Sequence, residues 1–364
     1  MLINSLTLNN YRGYKKTSIF FGDNINFFIG NNGSGKTNLL ESIYFLALAK
    51  SYKSMDSSII NTEAEFAKIQ AKIQNDIPIN SKIIITQNGK KITFNNQDVN
   101  KLSDYIGKIK ILAFLPEDMD LIKGSPKNRR FFIDMIIGQI DKNYLLELSN
   151  YRNVLKQRNE LLKIYNAKKS QDLTLLDIYT EQLAKSAEII VNYRKKFIVS
   201  IKSELNNMYH YLAANNKDIS FDYQPIIEEN ILNQLKSKYP KDIAQKNTST
   251  GPHRDDYVFL IDNIAAKDYA SQGEQRVIIL AIVLSIANII MKTKNIKPIL
   301  LLDDVFSELD YLRQNQLVKY LNDSSIQSII TTTNIKDINS SFFKKAKIFH
   351  VQNHLVKEGK INNG

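Results

Sequence analysis

The chain has 364 residues, carries 49 Lys and Arg against 37 Asp and Glu, and has a formal net charge of +12. It contains no cysteine, and its first 20 residues interleave Asn, Arg and Lys with apolar positions, which excludes a disulfide framework and a secretory signal. We therefore expect a cytoplasmic protein with about two domains. The positive charge favours polyanionic partners such as nucleic acid or anionic lipid, although a compositional bias of the source genome explains it equally well.

The first 50 residues predict the start of a nucleotide-binding domain. Strand patterns over 2–9, 16–21 and 24–29 precede a predicted helix over 37–50. Between the last strand and the helix lies Gly30-Asn31-Asn32-Gly33-Ser34-Gly35-Lys36-Thr37, which matches the phosphate-binding loop G-x-x-x-x-G-K-[ST] in the context that the motif requires. Its glycines let backbone N–H groups face phosphates, Lys36 neutralises charge on the β- and γ-phosphates, and the Thr37 hydroxyl can bind Mg²⁺. We predict that this loop, with Asn38 after it, binds ATP or GTP.

The rest of the chain predicts a nucleotide-binding domain that is split in sequence. Strand patterns over 82–86 and 91–94 flank Asn88-Gly89, which favours a tight hairpin in an antiparallel sheet. Between about 126 and 247 strand signals largely vanish, and stretches such as 144–167 and 173–211 carry apolar residues at helical spacing. Strand patterns return at 257–261, 299–303 and 326–331. A helical lobe is therefore predicted to be inserted between two parts of the nucleotide-binding domain.

Two carboxylates end an apolar strand at Ile299-Leu300-Leu301-Leu302-Asp303-Asp304, as in a Walker B element. Asp303 would hold Mg²⁺ through water, and Asp304 would act as the general base that polarises the attacking water. Lys36, Asp303 and Asp304 are thus the predicted catalytic residues, with Thr37 and Asp303 as metal ligands. The alternative is that two acids simply end a buried strand at an exposed loop.

A third motif, Ser271-Gln272-Gly273-Glu274-Gln275-Arg276, precedes an apolar run over 277–291. Alone, this motif is typical of a helix N-cap. The apolar run after it falls short of the ~20 residues that span a bilayer, so a buried helix is predicted. The position of the motif between the phosphate loop and the Walker B strand resembles the signature motif of ATP-binding-cassette (ABC) ATPases, which contacts the γ-phosphate bound by a second subunit. Ser307-Glu308-Leu309-Asp310 resembles their D-loop. The resemblance implies that two chains sandwich two ATP molecules, with Ser271, Gly273 and Glu274 at the nucleotide.

Further blocks in order along the chain resemble the RecF family of bacterial DNA-repair ATPases, related to the SMC and Rad50 heads. They are Asn10-Tyr11-Arg12-Gly13, Leu115-Pro116-Glu117-Asp118, Gly124-Ser125-Pro126 with Arg129-Arg130, Tyr151-Arg152 with Lys156-Gln157-Arg158-Asn159, and Gly251-Pro252-His253-Arg254-Asp255-Asp256. The implied fold is an α/β ABC-type P-loop ATPase head with a mixed sheet, split into 1–122 and 248–364 around a helical lobe at 123–247.

The resemblance also implies a function. It implies ATP and Mg²⁺ as cofactors, an ATP-dependent homodimer, slow hydrolysis, and binding to duplex DNA and to gapped or single-stranded junctions. Cooperation with RecO and RecR would load RecA at single-strand gaps, and no membrane partner is expected.

Three regions receive roles from the resemblance. Arg12 would contact the nucleotide near its phosphates, although it could instead pair with a surface acid. Glu117 or Asp118 would lie in the Q-loop region that links the lobes, although Pro116-Glu117-Asp118 could merely start a helix. The strand after the D-loop ends Thr331-Thr332-Thr333-Asn334 without the usual histidine, so a threonine or asparagine would have to sense the γ-phosphate.

Clustered cations are candidates for DNA contact, because they release counterions from the phosphate backbone. The candidates are Lys127, Arg129 and Arg130, then Arg152, Lys156 and Arg158, then Arg194, Lys195 and Lys196. Taken alone, each cluster is more often a solvated helix face. His253 beside Asp255 and Asp256 could hold a metal, but an ion-paired turn is favoured because only 4 histidines occur in the chain.

Other classes of protein share some of these motifs. The ATPase subunit of a membrane transporter, or one acting on a protein partner, remains the alternative function; a transporter subunit typically has a histidine switch and a glutamate at the position of Asp304. A clamp that is gated by ATP without catalysis is disfavoured by Asp304. A fused nuclease lacks a further cluster of acids after the D-loop.

Overall fold

The computed structural model describes residues 1–167, 172–215, 217–333 and 346–359, except for the side chains of residues 167 and 308. The chain divides into two compact units. Unit 1 comprises Met1–Met119, Asn207–Asn216 and Ser271–Gly364, and unit 2 comprises Asp120–Asn206 and Lys217–Ala270. Elements are numbered along the whole chain.

Unit 1 contains two six-stranded sheets. Its strands are β1 (Leu2–Tyr11), β2 (Tyr14–Phe20), β3 (Ile25–Ile29), β4 (Phe66–Gln74), β5 (Ile79–Thr86), β6 (Gly89–Phe94), β7 (Gln97–Asp98), β8 (Ile111–Phe114), β12 (Ile299–Asp303), β13 (Ser328–Thr332), β14 (Lys347–Gln352) and β15 (Leu355–Gly359). Its helices are α1 (Lys36–Leu48), α9 (Gln272–Lys294) and α10 (Tyr311–Ser324), and short 3₁₀ turns cover Asp56–Ile59, Leu102–Asp104, Pro116–Met119 and Val305–Glu308.

The first sheet of unit 1 carries the nucleotide motifs. Its order is β15-β14-β3-β13-β12-β8, with parallel pairs from β14 to β8 and an antiparallel β15 at the edge. The strands β12 and β13 are buried at every position, as expected for parallel strands that are covered on both faces. Since β3 lies two strands from β12, the loop after β3 and the acids that end β12 are at the same edge of the sheet.

The second sheet of unit 1 is antiparallel, with the order β2-β1-β4-β5-β6-β7. Buried and exposed residues alternate along β4 and β5, so the sheet packs one face inward. The predicted hairpin is present, but its turn lies at Gln87 and Asn88, one position earlier than predicted, because Thr86 pairs with Gly89. Gly89 has a φ of 139°, a conformation that favours glycine.

Helix α9 is the buried helix predicted from the apolar run. Its residues are buried from Val277 to Ala287 and again at Ile289 and Ile290. The helix is longer than the apolar run, so by length and composition it could cross a membrane, contrary to the expectation from the run alone. However, two thirds of its most apolar stretch is buried inside the protein. Burial of this kind is typical of a core helix.

Unit 2 combines helices with a small sheet. Its elements are α2 (Asp120–Lys123), α3 (Pro126–Ile140), α4 (Lys142–Ala167), α5 (Thr174–Ala213, whose last turns belong to unit 1), β9 (Ile219–Gln224), α6 (Ile231–Ser237), α7 (Tyr239–Gln245), β10 (Asp256–Ile261), β11 (Ile264–Ala265) and α8 (Ala266–Tyr269). The sheet has the order β11-β10-β9, and the rings of Phe221 and Phe259 stack across it with centroids 4.3 Å apart.

Two predictions about the inserted lobe are wrong. The lobe is not wholly helical, because Ile219, Phe221 and Tyr223 alternate with polar residues in β9. Residues 248–270 belong to unit 2 and not to the ATPase unit, because β10 pairs along its whole length with β9. The division near 120 falls between Met119 and Asp120, where 122 and 123 were predicted.

Gln327 joins the two sheets of unit 1. Its buried side chain accepts from Ile3 N at 2.7 Å and donates to the carbonyls of Ile3 and Gly22, each at 2.9 Å. Truncation would remove this partner from both backbone groups of Ile3, whereas the Gly22 carbonyl would still accept from Asn26 Nδ2 at 2.9 Å. We predict that Gln327→Ala lowers the free energy of unfolding of unit 1 by about 2–4 kcal/mol, measured by urea denaturation with circular dichroism. The exposed Gln97→Ala is the matched control, and equal stability of the two variants would contradict the role of Gln327.

Candidate nucleotide-binding site

The phosphate loop occupies the turn from β3 into α1. Gly33 and Gly35 have φ of 77° and 110°, which favour glycine. A Cβ on Gly30 would lie 2.2 Å from the carbonyl oxygen of Val351, so only glycine fits there. Gly35 is the N-cap of α1 and no side chain caps this helix. The positive end of the helix is therefore available to an anion.

Lys36 folds back over the loop. Its ammonium donates to the carbonyls of Gly30 at 2.6 Å and Asn31 at 3.0 Å. The pKa of Lys36 is lowered overall by burial, although the negative charges of Asp304 and Asp303 act to raise it. The loop thus positions this cation on the same side as the two Walker B acids.

The Thr37 hydroxyl donates to Asp303 Oδ1 at 3.0 Å, which connects the phosphate loop to the end of β12 across 266 residues of sequence. Thr331 Oγ1 donates to the same carboxylate oxygen and accepts from Asp304 N at 2.9 Å. Burial raises the pKa of Asp303, against the lowering effect of the Thr331 and Thr37 hydrogen bonds. One threonine on β13 therefore contacts the carboxylate of Asp303 and the backbone of Asp304.

The residues fit a nucleotide with Mg²⁺. Asp303 Oδ2, Asp304 Oδ1 and Ser34 Oγ are buried without a hydrogen-bond partner among the described residues. Unpaired buried oxygens are costly, and carboxylate and hydroxyl oxygens are the donors that Mg²⁺ prefers. Within the described ranges, His, Asp and Glu form no group of three that could hold a metal by themselves.

The β14–β15 hairpin and β2 support the loop from behind, which sequence reasoning missed. His354 N donates to the Ser34 carbonyl at 2.9 Å, and Tyr14 OH donates to the Gly35 carbonyl at 3.0 Å. The rings of Tyr14 and His354 meet edge to face, 5.2 Å apart. Asn353 and His354 both have positive φ, which is typical of a tight hairpin turn. The position of this turn beside the phosphate loop, however, depends on the order of strands in the sheet.

Arg12 pairs with a buried acid of α1 rather than with a surface acid. Its guanidinium forms a two-pronged ion pair with Glu41, at 2.8 and 3.1 Å, and also contacts Ser54 Oγ and the Ser58 carbonyl. Burial alone would lower the pKa of Arg12, but the Glu41 carboxylate raises it overall. A contact between Arg12 and the nucleotide stays a prediction.

The signature-like segment begins α9. Ser271 Oγ accepts from Glu274 N at 3.2 Å and Glu274 Oε2 accepts from Ser271 N at 3.0 Å, forming a capping box. Ser271 is exposed, and a Cβ on Gly273 would meet no atom within 4 Å. After the Walker B acids, Ser307 is exposed in a 3₁₀ turn and Asp310 caps α10. Ser271 and Ser307 therefore remain open to a further molecule.

The remaining predicted site residues lie near ends of β-strands. Pro116–Met119 forms a 3₁₀ turn directly after β8, and Asp118 caps it by accepting from Leu115 N at 2.7 Å. The Q-loop role of this segment stays a prediction. Thr331 and Thr332 end β13, whereas Asn334 lies outside the described residues. Thr331 acts on the acids, so a role in sensing the γ-phosphate also stays a prediction.

Three candidate DNA contacts are buried in ion pairs, which contradicts that prediction for them. Arg129 forms a two-pronged pair with Asp256, and Arg158 pairs with Asp242 where both side chains are fully buried. Arg194 pairs with Asp134 at 2.8 Å and Asp255 at 3.1 Å. Cations that already neutralise buried carboxylates are unavailable to phosphates. The candidates that keep exposed or half-buried side chains are Lys127, Arg130, Arg152, Lys156, Lys195 and Lys196.

His253 lies in a hydrogen-bonded turn. Its Nδ1 is 2.6 Å from Tyr151 OH and its Nε2 is 3.0 Å from the Thr248 carbonyl, so Nε2 carries the proton that donates and Nδ1 accepts. Burial lowers the pKa of His253 to about 4, so the ring is neutral at physiological pH. The ion pairs of Asp255 with Arg194 and of Asp256 with Arg129 agree with the interpretation of this segment as an ion-paired turn.

Known proteins match almost the whole chain. The family model described as "RecF/RecN/SMC N terminal domain" matches residues 2–357. A "DNA replication and repair protein RecF" of Lactobacillus acidophilus is 37% identical and covers 100% of both chains. A protein of the same name from Streptococcus agalactiae serotype V is 40% identical over 98% of both. The chain belongs to the RecF family.

Solved structures agree with this assignment. The RecF-family structure described as the "recombination mediator protein RecF-ATPrS in RecFOR pathway" has a TM-score of 0.88, 29% identity and 98% coverage of both chains. An Smc head bound to a domain of ScpA has a TM-score of 0.58 and 19% identity, which shows a shared fold. The predicted fold class, an α/β ABC-type ATPase head that is split in sequence, is confirmed.

The hydroxyl of Thr331 contacts the Asp303 carboxylate and the Asp304 backbone, so its loss should affect turnover more than binding. We predict that Thr331→Val lowers kcat for ATP by about tenfold or more, equivalent to about 1.4 kcal/mol. ATP affinity should change little, because Thr331 touches neither Lys36 nor the loop glycines in the described contacts. Phosphate release and binding of a fluorescent ATP analogue measure the two quantities. Thr331→Ser keeps the hydroxyl and should restore turnover; an unchanged kcat in Thr331→Val would contradict the role.

Proposed function

We propose that this chain is an ATP-dependent DNA-binding ATPase of DNA repair, and that ATP drives its dimerisation. The observation that carries the proposal is the Thr37–Asp303 hydrogen bond of 3.0 Å, which joins the phosphate loop to the Walker B strand. Next to it lie the unpartnered oxygens of Asp303 and Asp304. Such an arrangement supplies the cation, metal ligands and base that phosphoryl transfer requires.

Each residue has a role in the proposed site. The loop from Gly30 to Gly35 and the first turn of α1, including Asn38, would present N–H groups to the phosphates, and Lys36 would neutralise their charge. Thr37 and Asp303 would hold Mg²⁺, which when bound neutralises charge on the β- and γ-phosphates. Asp304 would accept the proton of the attacking water. Thr331 would keep Asp303 and Asp304 in their orientations.

A sandwich dimer would complete the site. Ser271 is exposed at the start of α9, where its hydroxyl is held by the capping box, and the space beside Gly273 is open. These groups could therefore approach the γ-phosphate held by a partner subunit without rearrangement. We propose that Ser271, Gly273 and Glu274 provide this contact, so that hydrolysis and dimer lifetime are coupled.

The relatives support a role on DNA. Proteins that are 37–40% identical are named for DNA replication and repair, and the two solved relatives at 28–29% identity are described as a recombination mediator protein in the RecFOR pathway. We propose that this chain likewise binds duplex and gapped DNA in the cytoplasm, hydrolyses ATP slowly, and cooperates with RecO and RecR to load RecA. The net charge of +12 favours such a polyanionic partner.

Asp304 offers a direct test of catalysis. It has a φ of 51°, a left-handed conformation that asparagine also tolerates, so Asp304→Asn should fold normally. Because the amide cannot accept the proton, turnover should fall about 100-fold or more and the ATP-bound dimer should persist. Phosphate release and mass photometry with ATP test both effects. The exposed Asp268→Asn serves as control; a freely dissociating Asp304→Asn variant with normal turnover would reject Asp304 as the base.

Ser271 offers a test of the dimer. A bulky arginine there should block the approach of a second subunit, so we predict that Ser271→Arg prevents ATP-dependent dimerisation while monomer ATP affinity is retained. Loss of the N-cap itself should cost about 1 kcal/mol of stability. Ser271→Ala loses the same cap without added bulk and should weaken the dimer less. Dimerisation of Ser271→Arg with ATP, seen by sedimentation, would exclude the sandwich.

A further inference from the structure

A small cationic hollow lies in unit 2, among α3, α4, α5 and the turn after α7. Its volume is about 200 Å³. This is below the ~300–1,000 Å³ typical of pockets for small organic ligands, so its size suits a compact group such as a phosphate. The charged side chains that line it are Lys127, Arg130, Arg152, Arg194 and Asp134.

Four cations therefore face one carboxylate, and that carboxylate is already engaged. Asp134 accepts from Arg194 at 2.8 Å, from Tyr144 OH at 2.5 Å and from Arg152 at 3.3 Å. Arg194 is further neutralised by Asp255. His253 adds no charge, because burial keeps it neutral. Arg152 and Arg194 are thus balanced by Asp134 and Asp255, and the positive charge in excess belongs to Lys127 and Arg130.

Arg130 is a half-buried cation of the hollow whose charge no direct ion pair with a described residue compensates. Its guanidinium donates to the carbonyl of Asp255 at 2.6 Å, but it forms no ion pair with a described carboxylate. Burial and the nearby Arg194 lower the pKa of Arg130, and this outweighs the charges of Asp134, Asp255 and Asp256, which raise it. An arginine in these surroundings gains much from an added anion, and its planar fork can bind a phosphate through two hydrogen bonds.

A second hollow of about 440 Å³ continues along α4 and shares Arg152 with the first. Lys156, Lys163 and Lys246 line it, together with the single carboxylate of Glu160, which pairs with Lys163 at 2.7 Å. Both hollows have an excess of positive charge and they adjoin each other. They therefore suit a chain of phosphates better than a single free phosphate. A continuous nucleic acid backbone has this form.

We propose that these hollows bind consecutive backbone phosphates of DNA, and that Arg130 and Lys127 hold the phosphate in the smaller one. This inference rests on the proposed DNA binding and adds the surface that performs it. The contacts are to phosphate, so they contribute affinity without sequence preference. The role of the buried cations Arg129, Arg158 and Arg194 is different, because their ion pairs join the elements of unit 2 that surround the hollow.

The test compares Lys127→Gln and Arg130→Gln with the wild-type chain for a gapped duplex in the presence of ATP, over about 50–200 mM salt. Loss of one phosphate contact should lower affinity about five- to tenfold near 100 mM salt and reduce the slope of log K against log salt by about 1. Lys127 is exposed and pairs with no described residue, so that variant should fold normally. ATP affinity of both variants should equal that of the wild type.

Controls separate the outcomes. Lys185→Gln removes an exposed cation of unit 2 that does not line either hollow, and it should leave affinity and slope unchanged. Inorganic phosphate at matched ionic strength should not compete with the duplex; competition would identify a free-phosphate site and overturn the proposal. Wild-type affinity in Lys127→Gln and Arg130→Gln, or equal loss in Lys185→Gln, would also overturn it and favour an acidic protein as occupant. Failure of the wild-type chain to bind DNA would instead refute the proposed function.

Discussion

The candidate site depends on the hydrogen bonds that Asp303 accepts from two threonines. Thr37 belongs to the first turn of α1 and Thr331 to β13, so the carboxylate at the end of β12 connects three elements that are far apart in sequence. Thr331 also accepts from Asp304 N, which holds that residue in its left-handed conformation. The opposite oxygen of Asp303 is left buried and unpaired. In the proposed ATPase site, these bonds would orient the metal ligands before a nucleotide arrives, which is the main requirement of catalysis by positioning.

In unit 2, buried ion pairs stabilise the packing of the elements, and partly exposed cations lie beside them. Arg129, Arg158 and Arg194 are buried with carboxylates, where loss of one partner would leave an uncompensated charge and cost several kcal/mol, about 3–5. These pairs fix how α3, α4, α5 and the β10 segment pack together. Arg130 and Arg152 lie next to the same pairs but remain partly exposed. The buried cations therefore shape the surface, and the less buried ones that pair with no described carboxylate give it its excess charge.

Features that depend on local sequence could be predicted, whereas features that depend on tertiary pairing could not. The phosphate loop and the buried strand before Asp303 are local patterns, and α9 was recognised from one apolar run. The partnership of Thr331 with Asp303, and of His354 with the loop, follows from the order of strands in the sheet. In the same way, β10 was recognised as a strand but assigned to the wrong lobe, because its pattern does not reveal that β9 is its partner. Neighbouring cations such as Arg129 and Arg130 look alike in sequence, and burial alone separates them.

In the proposed function, ATP gates binding to DNA. Fluorescence anisotropy of a labelled gapped duplex, titrated with the chain at one fixed salt concentration, tests it most directly when repeated with ATP, with ADP and without nucleotide. We predict binding that requires ATP and rises cooperatively with protein concentration, as expected if two subunits close around two nucleotides. Equal binding in all three conditions, or none in any of them, would contradict it.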